Sequence, residues 1–146
     1  MSSPELSDRE IWLFDIDGTL VDSFDAEHLR PLVIELLAAV RARGASIFAW
    51  SAGGAAHAQR VVDRHGLSAT VDGCHDKVVG ADGRWDVQHI PGGSAISITC
   101  VDDQPDRLPR DAHGIGVFPY LRPDPHDRGL AGALANALGT ALGSAR

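Results

Sequence analysis

Short apolar runs recur along the chain, each bounded by polar residues, glycine or proline. Such runs are typical of β-strands covered on both faces of a sheet, because neither face of the strand then meets water. They lie at residues 11–14, 45–50, 95–101 and 115–119. The pattern predicts a strand at each of them, and a shorter strand near Val71.

Amphipathic segments separate the apolar runs and predict three helices. The first has apolar residues at the i, i+3, i+4 and i+7 spacing of one helix face: Val33, Leu36, Leu37 and Val40. The second covers residues 55–65 and ends before Gly66. The third is expected to start with Asp124 as its N-cap and Pro125 in its first position. It would bury a stripe of leucines that recurs every fourth residue: Leu130, Leu134, Leu138 and Leu142.

The order of these elements indicates the fold class. A β-hairpin at residues 77–87, with Asp82 and Gly83 as a two-residue type I′ turn, interrupts an alternation of strands and helices. That alternation favours a parallel sheet with right-handed crossovers. We expect an α/β fold with a three-layer, doubly wound, Rossmann-like parallel sheet. A flexible tail at residues 1–10 would precede a single domain at residues 11–146.

Composition and charge narrow the class of protein. The chain has 146 residues, which fits one domain. Its formal net charge of −7 argues against a nonspecific nucleic-acid binder and a membrane-surface protein, since both need a positive field. No apolar run reaches the roughly 20 residues of a transmembrane helix, and residues 1–10 lack a signal-peptide pattern. Cys74 and Cys100 have no CxxC spacing, so we expect free thiols and a cytoplasmic protein.

Polar residues follow the predicted strands at the edge where α/β sheets bind ligands. They are Asp15 and Asp17 after the first strand, Ser51 after the second, Asp102 and Asp103 after the third, and Lys77 before the hairpin. Two carboxylates about 4 Å apart repel by about 4 kcal/mol at an effective dielectric near 20. Three in mutual contact would cost about 10 kcal/mol, comparable to the stability of a domain. A cation or retained protons must balance them, and oxygen-only ligands suit Mg²⁺.

Each of these residues alone has an ordinary interpretation. Aspartates after strands are common in turns and caps, Ser51 alone would cap the following helix, and Lys77 alone would be a solvated charge. The combination favours a functional site, because independent caps are not expected in this order at the ends of core strands. The seven histidines contain no HxxxH or HxH pair, so a histidine-built metal site is not indicated.

The combination resembles the four ordered motifs of the haloacid dehalogenase (HAD) superfamily. They are DIDGTL at residues 15–20, Ser51, Lys77, and VDDQPD at residues 101–106, and the resemblance covers about residues 11–119. It implies a nucleophile at Asp15 that forms an aspartyl-phosphate, and a general acid and base at Asp17. An alkoxide needs a proton to leave and a halide does not, so Asp17 favours a Mg²⁺-dependent phosphatase over a dehalogenase.

The resemblance also implies how the phosphate and the metal would be held. Phosphoryl oxygens would be bound by Ser51 and Lys77, with help from small and turn residues: Ala52, Gly53, Gly18 and Thr19. The unpaired N–H groups that begin the helix after Ser51 would favour an anion there. Mg²⁺ would be held by Asp15, Asp102 and the backbone carbonyl of Asp17. Asp103 is expected to bind the metal as well, and Asp106 to lie behind the ligands. The motif alone leaves open which of these two aspartates contacts the metal directly.

The predicted site carries no large cap domain. Residues 20–30 suffice for a small flap hairpin, and the predicted hairpin and strand nearly fill residues 78–101. An open site excludes water poorly, so a macromolecular substrate or a neighbouring subunit of a homo-oligomer would have to cover it. Whether Arg84 and Trp85 in the hairpin face the substrate or only form a surface turn stays open.

The sequence leaves the substrate open. Relatives without caps include phosphatases of sugar or lipid phosphates, of phosphoproteins and of nucleic-acid 3′ ends. The charge of −7 weighs against a polynucleotide. Four arginines of the C-terminal third could form a basic rim, although scattered surface arginines are the simpler interpretation: Arg107, Arg110, Arg122 and Arg128. A phosphate- or metal-binding module without catalysis is the other alternative, and the presence of all motif residues argues against it.

Overall fold

The computed structural model describes residues 10–90 and 97–139. Seven strands lie in these residues: β1 (Glu10–Asp15), β2 (Ser46–Ser51), β3 (Gly73–Asp76), β4 (Val78–Val79), β5 (Trp85–Asp86), β6 (Ser97–Asp102) and β7 (His113–Gly116). The helices are α1 (Val33–Ala42), α2 (Ala55–Arg64), α3 (Ala131–Leu138) and a short 3₁₀ helix at Pro105–Arg107. The predicted tail, except Glu10, and the first two residues of the predicted third strand lie outside the described residues.

Five of the strands form one parallel sheet in the order β3-β2-β1-β6-β7. β1 is central, and its residues 11–14 are at most 1% exposed, which explains why this run is apolar without alternation. From β1 the chain moves outwards to β3 on one side and then returns to β6 on the other. The expected α/β fold with a parallel sheet is therefore confirmed. Ligands bind such sheets where the order reverses, here between the carboxyl ends of β1 and β6.

The two faces of the sheet are covered by different kinds of element. On one face, Trp12, Phe14 and Ile47 pack with buried residues from all three α-helices. On the other face, Leu13 and Trp50 pack against the segment around β5, which contributes three buried residues: Trp85, Val87 and Ile90. Within the described ranges, no α-helix joins this second core. The third layer was predicted to be helical, but the described part of the chain between β3 and β6 has a glycine turn and short β-segments instead of a helix.

The first two helices follow their predicted patterns. The buried side chains of α1 include all four residues of the predicted apolar face. The chain leaves α2 at Gly66, whose φ of 69° is left-handed and therefore favours glycine.

The start of the third helix was predicted wrongly. α3 begins at Ala131 instead of following Asp124 directly. The Asp124 carboxylate accepts a backbone N–H at 2.9 Å within a separate turn. Asp127, three residues after Asp124, forms an ion pair with the buried Arg30 at 2.6 Å. Asp124 therefore does accept a backbone N–H, as a capping residue would, but the ion pair with Arg30 holds this segment outside the helix.

The buried face of α3 also differs from the predicted leucine stripe. Ala133 and Ala137 are its buried residues, together with Leu130 just before it. Leu138 is 59% exposed, because a four-residue spacing drifts around a helix with 3.6 residues per turn. Leu142 lies outside the described residues.

The hairpin forms, but its turn is not of type I′. Val79 pairs with Trp85, and the Gly80 N–H donates to the carbonyl of Arg84 at 2.7 Å, which leaves a three-residue loop. Gly83 has a φ of 81°, whereas Asp82 is not in the left-handed region. A type I′ turn requires positive φ at both central residues.

Several strand boundaries also differ from the prediction. The strand expected near Val71 begins at Gly73, after Asp72 binds the N–H of Ile47 at 2.8 Å. The last strand covers His113–Gly116 instead of residues 115–119; it is an edge strand and mostly exposed, so it needs no apolar run. Glu10 begins β1, where its carboxylate binds Arg43 at 2.9 Å.

Residues 20–30 form a loop over the carboxyl end of the sheet. Single bridges join Val21 to Asp17 and to Leu29, so the loop is smaller than a regular hairpin. Neither this loop nor the described part of the segment between β3 and β6 contains a helix. No helix among the described residues has the length and apolarity needed to cross a membrane.

Candidate functional site

Asp15 and Asp102 lie side by side where β1 and β6 end. The two strands are parallel neighbours, with Phe14 opposite Val101, so the next residue of each, which is the last of its strand, lies at the same level. Asp15 is 6% exposed and Asp102 is fully buried. Burial and the nearby charge of Asp15 raise the pKa of Asp102. The structure thus brings together the two carboxylates that the sequence placed at neighbouring strand ends.

Lys77 joins these two carboxylates. Its Nζ lies 2.7 Å from Asp15 Oδ1 and 2.8 Å from Asp102 Oδ2, and its side chain is 3% exposed. The lysine reaches this position because β3 pairs with β2, and its backbone N–H donates to the carbonyl of Ser51 at 3.0 Å. Burial alone would lower the pKa of Lys77, but Asp15 and Asp102 more than offset this and raise it. Lys77 is therefore a buried cation, and not the solvated charge of its ordinary interpretation.

Asp103 completes a group of three carboxylates. One oxygen from each of Asp15, Asp102 and Asp103 lies within 4.8 Å of the others. Burial, and then the hydrogen bond to Asp15 and the charges of both neighbours, raise the pKa of Asp103 to about 8. Three acidic oxygens around one point are a ligand set for a hard divalent cation. The raised pKa of Asp103 indicates that the described cations do not balance the negative charge of the three carboxylates.

Gly18 makes the close approach of Asp103 possible. A Cβ at residue 18 would overlap the Asp103 carboxylate. Gly18 also has a φ of 84°, which favours glycine. The turn after β1 therefore requires glycine for both its conformation and its packing.

The carboxylate of Asp17 points away from this group. Its Oδ2 lies 2.8 Å from His57 Nε2, on the first turn of α2, and the side chain is 40% exposed. The structure therefore separates Asp17 from the three clustered carboxylates, so its side chain is not a member of the predicted metal set. The expectation that the backbone carbonyl of Asp17 would bind Mg²⁺ does not depend on the direction of its side chain.

The predicted phosphate contact of Thr19 does not fit the structure. Thr19 is fully buried, and its hydroxyl donates to Asp15 Oδ2 at 2.7 Å. A side chain without exposed surface cannot meet a ligand, so Thr19 orients Asp15 from behind. Gly18 likewise does not line the cavity described below; its part is to shape the turn.

The loop after β2 lines the site, but several of its backbone N–H groups already have hydrogen-bond partners within the protein. Ser51 Oγ accepts the N–H of Gly53 at 2.9 Å, and the Ser51 carbonyl accepts the N–H of Gly54 at 3.0 Å. The next N–H, of Ala55, donates to Asp76 Oδ1 at 2.7 Å. The unpaired donors expected at the start of α2 are thus largely occupied. Ser51 is in the predicted position, but it does not cap α2, because the N-cap of that helix is Gly54 and receives no side-chain hydrogen bond.

One cavity of about 450 Å³ contains most of the predicted site. Predicted residues on its wall are Asp15, Asp17, Ser51, Ala52, Gly53, Lys77 and Asp103. The wall also includes residues that the sequence did not assign: Ser23, Trp85, Gln104 and Arg107. Their positions follow the same rule, since they come from the loops after β1 and β6 and from the hairpin after β3.

Two other candidate residues lie outside the cavity. Asp106 is exposed on the 3₁₀ helix and does not line the cavity. Arg84 donates to the carbonyl of Leu108 at 2.9 Å. The hairpin thus contributes Trp85 to the site, while Arg84 holds the hairpin against the neighbouring loop.

His57 was missed by the sequence analysis. The signal available for it was its position in the first turn of a helix that starts directly after Ser51. Such a turn lies at the same edge of the sheet as the strand ends.

The chain matches no protein-family model, and no curated protein matches it.

Proposed function

We propose that this protein is a Mg²⁺-dependent phosphomonoesterase of the HAD type. The observation that supports this most is a buried carboxylate, Asp15, fixed on both oxygens by Lys77 and Thr19 at the edge of an open cavity. A second carboxylate, Asp17, lies on the wall of the same cavity and outside the acidic group. One acid is thus held rigidly and the other is partly exposed, as a nucleophile and a proton carrier require.

The proposed reaction has two displacements. In the first, a carboxylate oxygen of Asp15 attacks phosphorus, the bond from phosphorus to the substrate oxygen breaks, and Asp17 gives its proton to the leaving alkoxide. In the second, Asp17 takes a proton from water, the water oxygen attacks the aspartyl-phosphate, and Asp15 and inorganic phosphate are released. Lys77 compensates the charge of Asp15 as an anionic substrate approaches.

The acidic group fits a magnesium ion. Asp15, Asp102 and Asp103 would hold it, and the raised pKa values of Asp102 and Asp103 indicate a site with uncompensated negative charge. When bound, Mg²⁺ would neutralise charge on the phosphoryl oxygens and allow an anionic nucleophile to approach them.

Hydrolysis of p-nitrophenyl phosphate tests this proposal. We expect turnover with Mg²⁺, no turnover with EDTA, and a loss of about 10³-fold or more in Asp15→Asn. Asp25→Asn is a matched control, because Asp25 is an exposed aspartate of the loop at residues 20–30. Full activity in Asp15→Asn would disprove the nucleophile assignment.

A panel of phosphate esters separates the alternatives. Mg²⁺ binding without turnover of any ester would favour a metal-binding module of the same fold. Turnover of a 3′-phosphorylated oligonucleotide far above that of sugar phosphates would favour a nucleic-acid end phosphatase.

A further inference from the structure

Arg107 has an unusual environment for an arginine of this protein. It ends the 3₁₀ helix that follows Asp102 and Asp103, and its side chain lines the cavity next to the candidate nucleophile. Its guanidinium carbon lies 4.5 Å from the centre of the Trp85 ring. The Nζ of Lys77 lies 4.8 Å from the same centre. Trp85 therefore positions two cations at one wall of the cavity.

These two cations differ in what compensates their charge. Lys77 contacts the carboxylates of Asp15 and Asp102. Arg107 forms no ion pair with a carboxylate of the described residues, and its Nε is buried without a hydrogen-bond partner there. A buried donor without a partner is costly, of the order of 1–3 kcal/mol, and uncommon in folded proteins.

Other arginines near the hairpin are satisfied by the protein itself. Arg84 donates to the Leu108 carbonyl, and Arg110 forms an exposed ion pair with Asp82 at 3.2 Å. Among the described arginines, a buried donor without a partner is found at the one that lines the cavity.

The contact with Trp85 does not satisfy the hydrogen-bond donors of the Arg107 guanidinium. Contact with an aromatic face occupies one side of the guanidinium plane, whereas its N–H donors point outwards within that plane. Those donors match the paired oxygens of a carboxylate or a phosphate. The cavity of about 450 Å³ lies in the range of small-molecule sites, so it has room for more than one phosphoryl group.

We propose that Arg107 selects substrates that carry a second anionic group, a carboxylate or a phosphate, close to the phosphate that is hydrolysed. This inference rests on the proposed phosphatase function and adds the class of substrate. The second anion would bind the Arg107 guanidinium while the scissile phosphate lies between Asp15, Lys77 and the loop of Ser51. The leaving group is then a small alcohol that carries the second anionic group. The phosphate ester of a neutral alcohol of the same size is a poor substrate.

Two matched pairs of esters test the proposal and distinguish the two anions. Carboxymethyl phosphate is compared with ethyl phosphate, and ethane-1,2-diol bisphosphate with 2-hydroxyethyl phosphate. We expect kcat/KM to be about 10- to 100-fold higher for the second-anion member of at least one pair. The pair that shows the preference identifies the second anion.

Substitutions then connect the preference to Arg107. Arg107→Gln should remove it, mainly through KM, because the second anion is bound equally in the ground and transition states. Arg107→Lys should keep part of it through its charge. Arg110→Gln is the matched control and should keep all of it. If Arg107→Gln lowers kcat/KM equally for both members of each pair, the proposal is overturned, since Arg107 would then act on the scissile phosphate. No preference in the unmodified protein would overturn it as well.

A binding measurement separates this inference from the proposed function. In Asp15→Asn, calorimetry gives Kd for the same four esters without turnover. Tighter binding of the second-anion members that Arg107→Gln abolishes would support the substrate class even if the protein hydrolyses none of them. Equal affinities within both pairs would overturn the inference even if p-nitrophenyl phosphate is hydrolysed.

Discussion

Two acidic clusters lie near the carboxyl end of the sheet, and they differ in how their charge is balanced. The strand-end cluster consists of Asp15, Asp102 and Asp103, and the loop cluster consists of Asp22, Asp25 and His28. In both clusters, one ligand atom of each residue lies within 4.8 Å of the others. By distance alone, either cluster could hold a metal ion.

The loop cluster is balanced by its own backbone. Asp22 Oδ2 accepts the N–H of Asp25 at 3.1 Å, and Oδ1 accepts that of His28 at 2.9 Å. Burial would raise the pKa of Asp22, but these two N–H groups hold it below its ordinary value. The ionised carboxylate is therefore stable without a cation, and it serves to close the loop.

The strand-end cluster has more negative charge than its partners can balance. Lys77 contacts two of its three carboxylates, and the pKa of Asp103 is raised to about 8 instead of lowered. From this comparison we expect a metal ion at the strand-end cluster, whose charge the described residues leave unbalanced, and not at the loop cluster. Four predictions can break or sharpen this difference.

The largest effect is expected from Lys77→Met, which removes the cation of the strand-end cluster. Breaking a buried ion pair typically costs about 3–5 kcal/mol because the remaining charge has no partner. Here two carboxylates lose their partner, so the free energy of unfolding measured with urea and EDTA should fall by about that much. Mg²⁺ should recover more stability in the variant than in the unmodified protein. Arg110→Met, at an exposed ion pair, should cost less than about 1 kcal/mol; an equal cost would contradict the buried role of Lys77.

The next effect concerns magnesium affinity and compares the clusters directly. Asp102→Asn should weaken Mg²⁺ binding by about 100-fold, since it removes one of three anionic ligands. Asp25→Asn in the loop cluster should leave the affinity unchanged. Calorimetric titration of the folded proteins measures both. Weaker binding in Asp25→Asn, with Asp102→Asn unaffected, would place the metal in the loop cluster.

A smaller effect is expected from Asp22→Ala. It leaves two backbone N–H groups without their acceptor and should lower the free energy of unfolding by about 2 kcal/mol. Asp22→Asn keeps one acceptor and should recover about half of this loss. Urea unfolding measures both variants. Unchanged stability in Asp22→Ala would show that the carboxylate does not close the loop.

The strand-end cluster could be predicted because few rules determine it. Apolar runs locate the strands, a parallel sheet aligns their carboxyl ends, and Asp15, Asp102 and Lys77 follow strands that become close neighbours. None of these steps requires knowledge of side-chain conformations. The prediction that unpaired N–H groups follow Ser51 failed because it did require such knowledge, namely the hydrogen bond from Gly53 to the serine hydroxyl.

Contacts between residues far apart in the sequence were beyond prediction. His57 contacts Asp17, and the Arg107 guanidinium lies over the Trp85 ring, because separate segments of the chain converge at this end of the sheet. The third helix failed for a related reason, since Asp127 binds Arg30 from a distant loop and not the helix start. The loop cluster was missed because its balance comes from backbone N–H groups, whose directions a residue pattern does not reveal.

The smallest effect is a difference in pH dependence between the clusters. The pKa of Asp103 in the folded, metal-free protein is raised to about 8 from 3.8. Between these values the unfolded chain has lost the proton that the folded state keeps, so this group lowers stability as pH rises. At the proposed site Mg²⁺ would replace that proton, and its stabilising effect should grow with pH. We expect the rise in Tm on adding Mg²⁺ to be a few degrees larger at about pH 8 than at about pH 5.5. Asp103→Asn should reduce this difference, with a remainder from Asp102, whose pKa is raised as well. Asp22→Asn should retain the difference, because the lowered pKa of Asp22 in the unmodified protein keeps that carboxylate ionised throughout this range. A rise in Tm that is the same at both pH values would show that no proton is held where we place the metal.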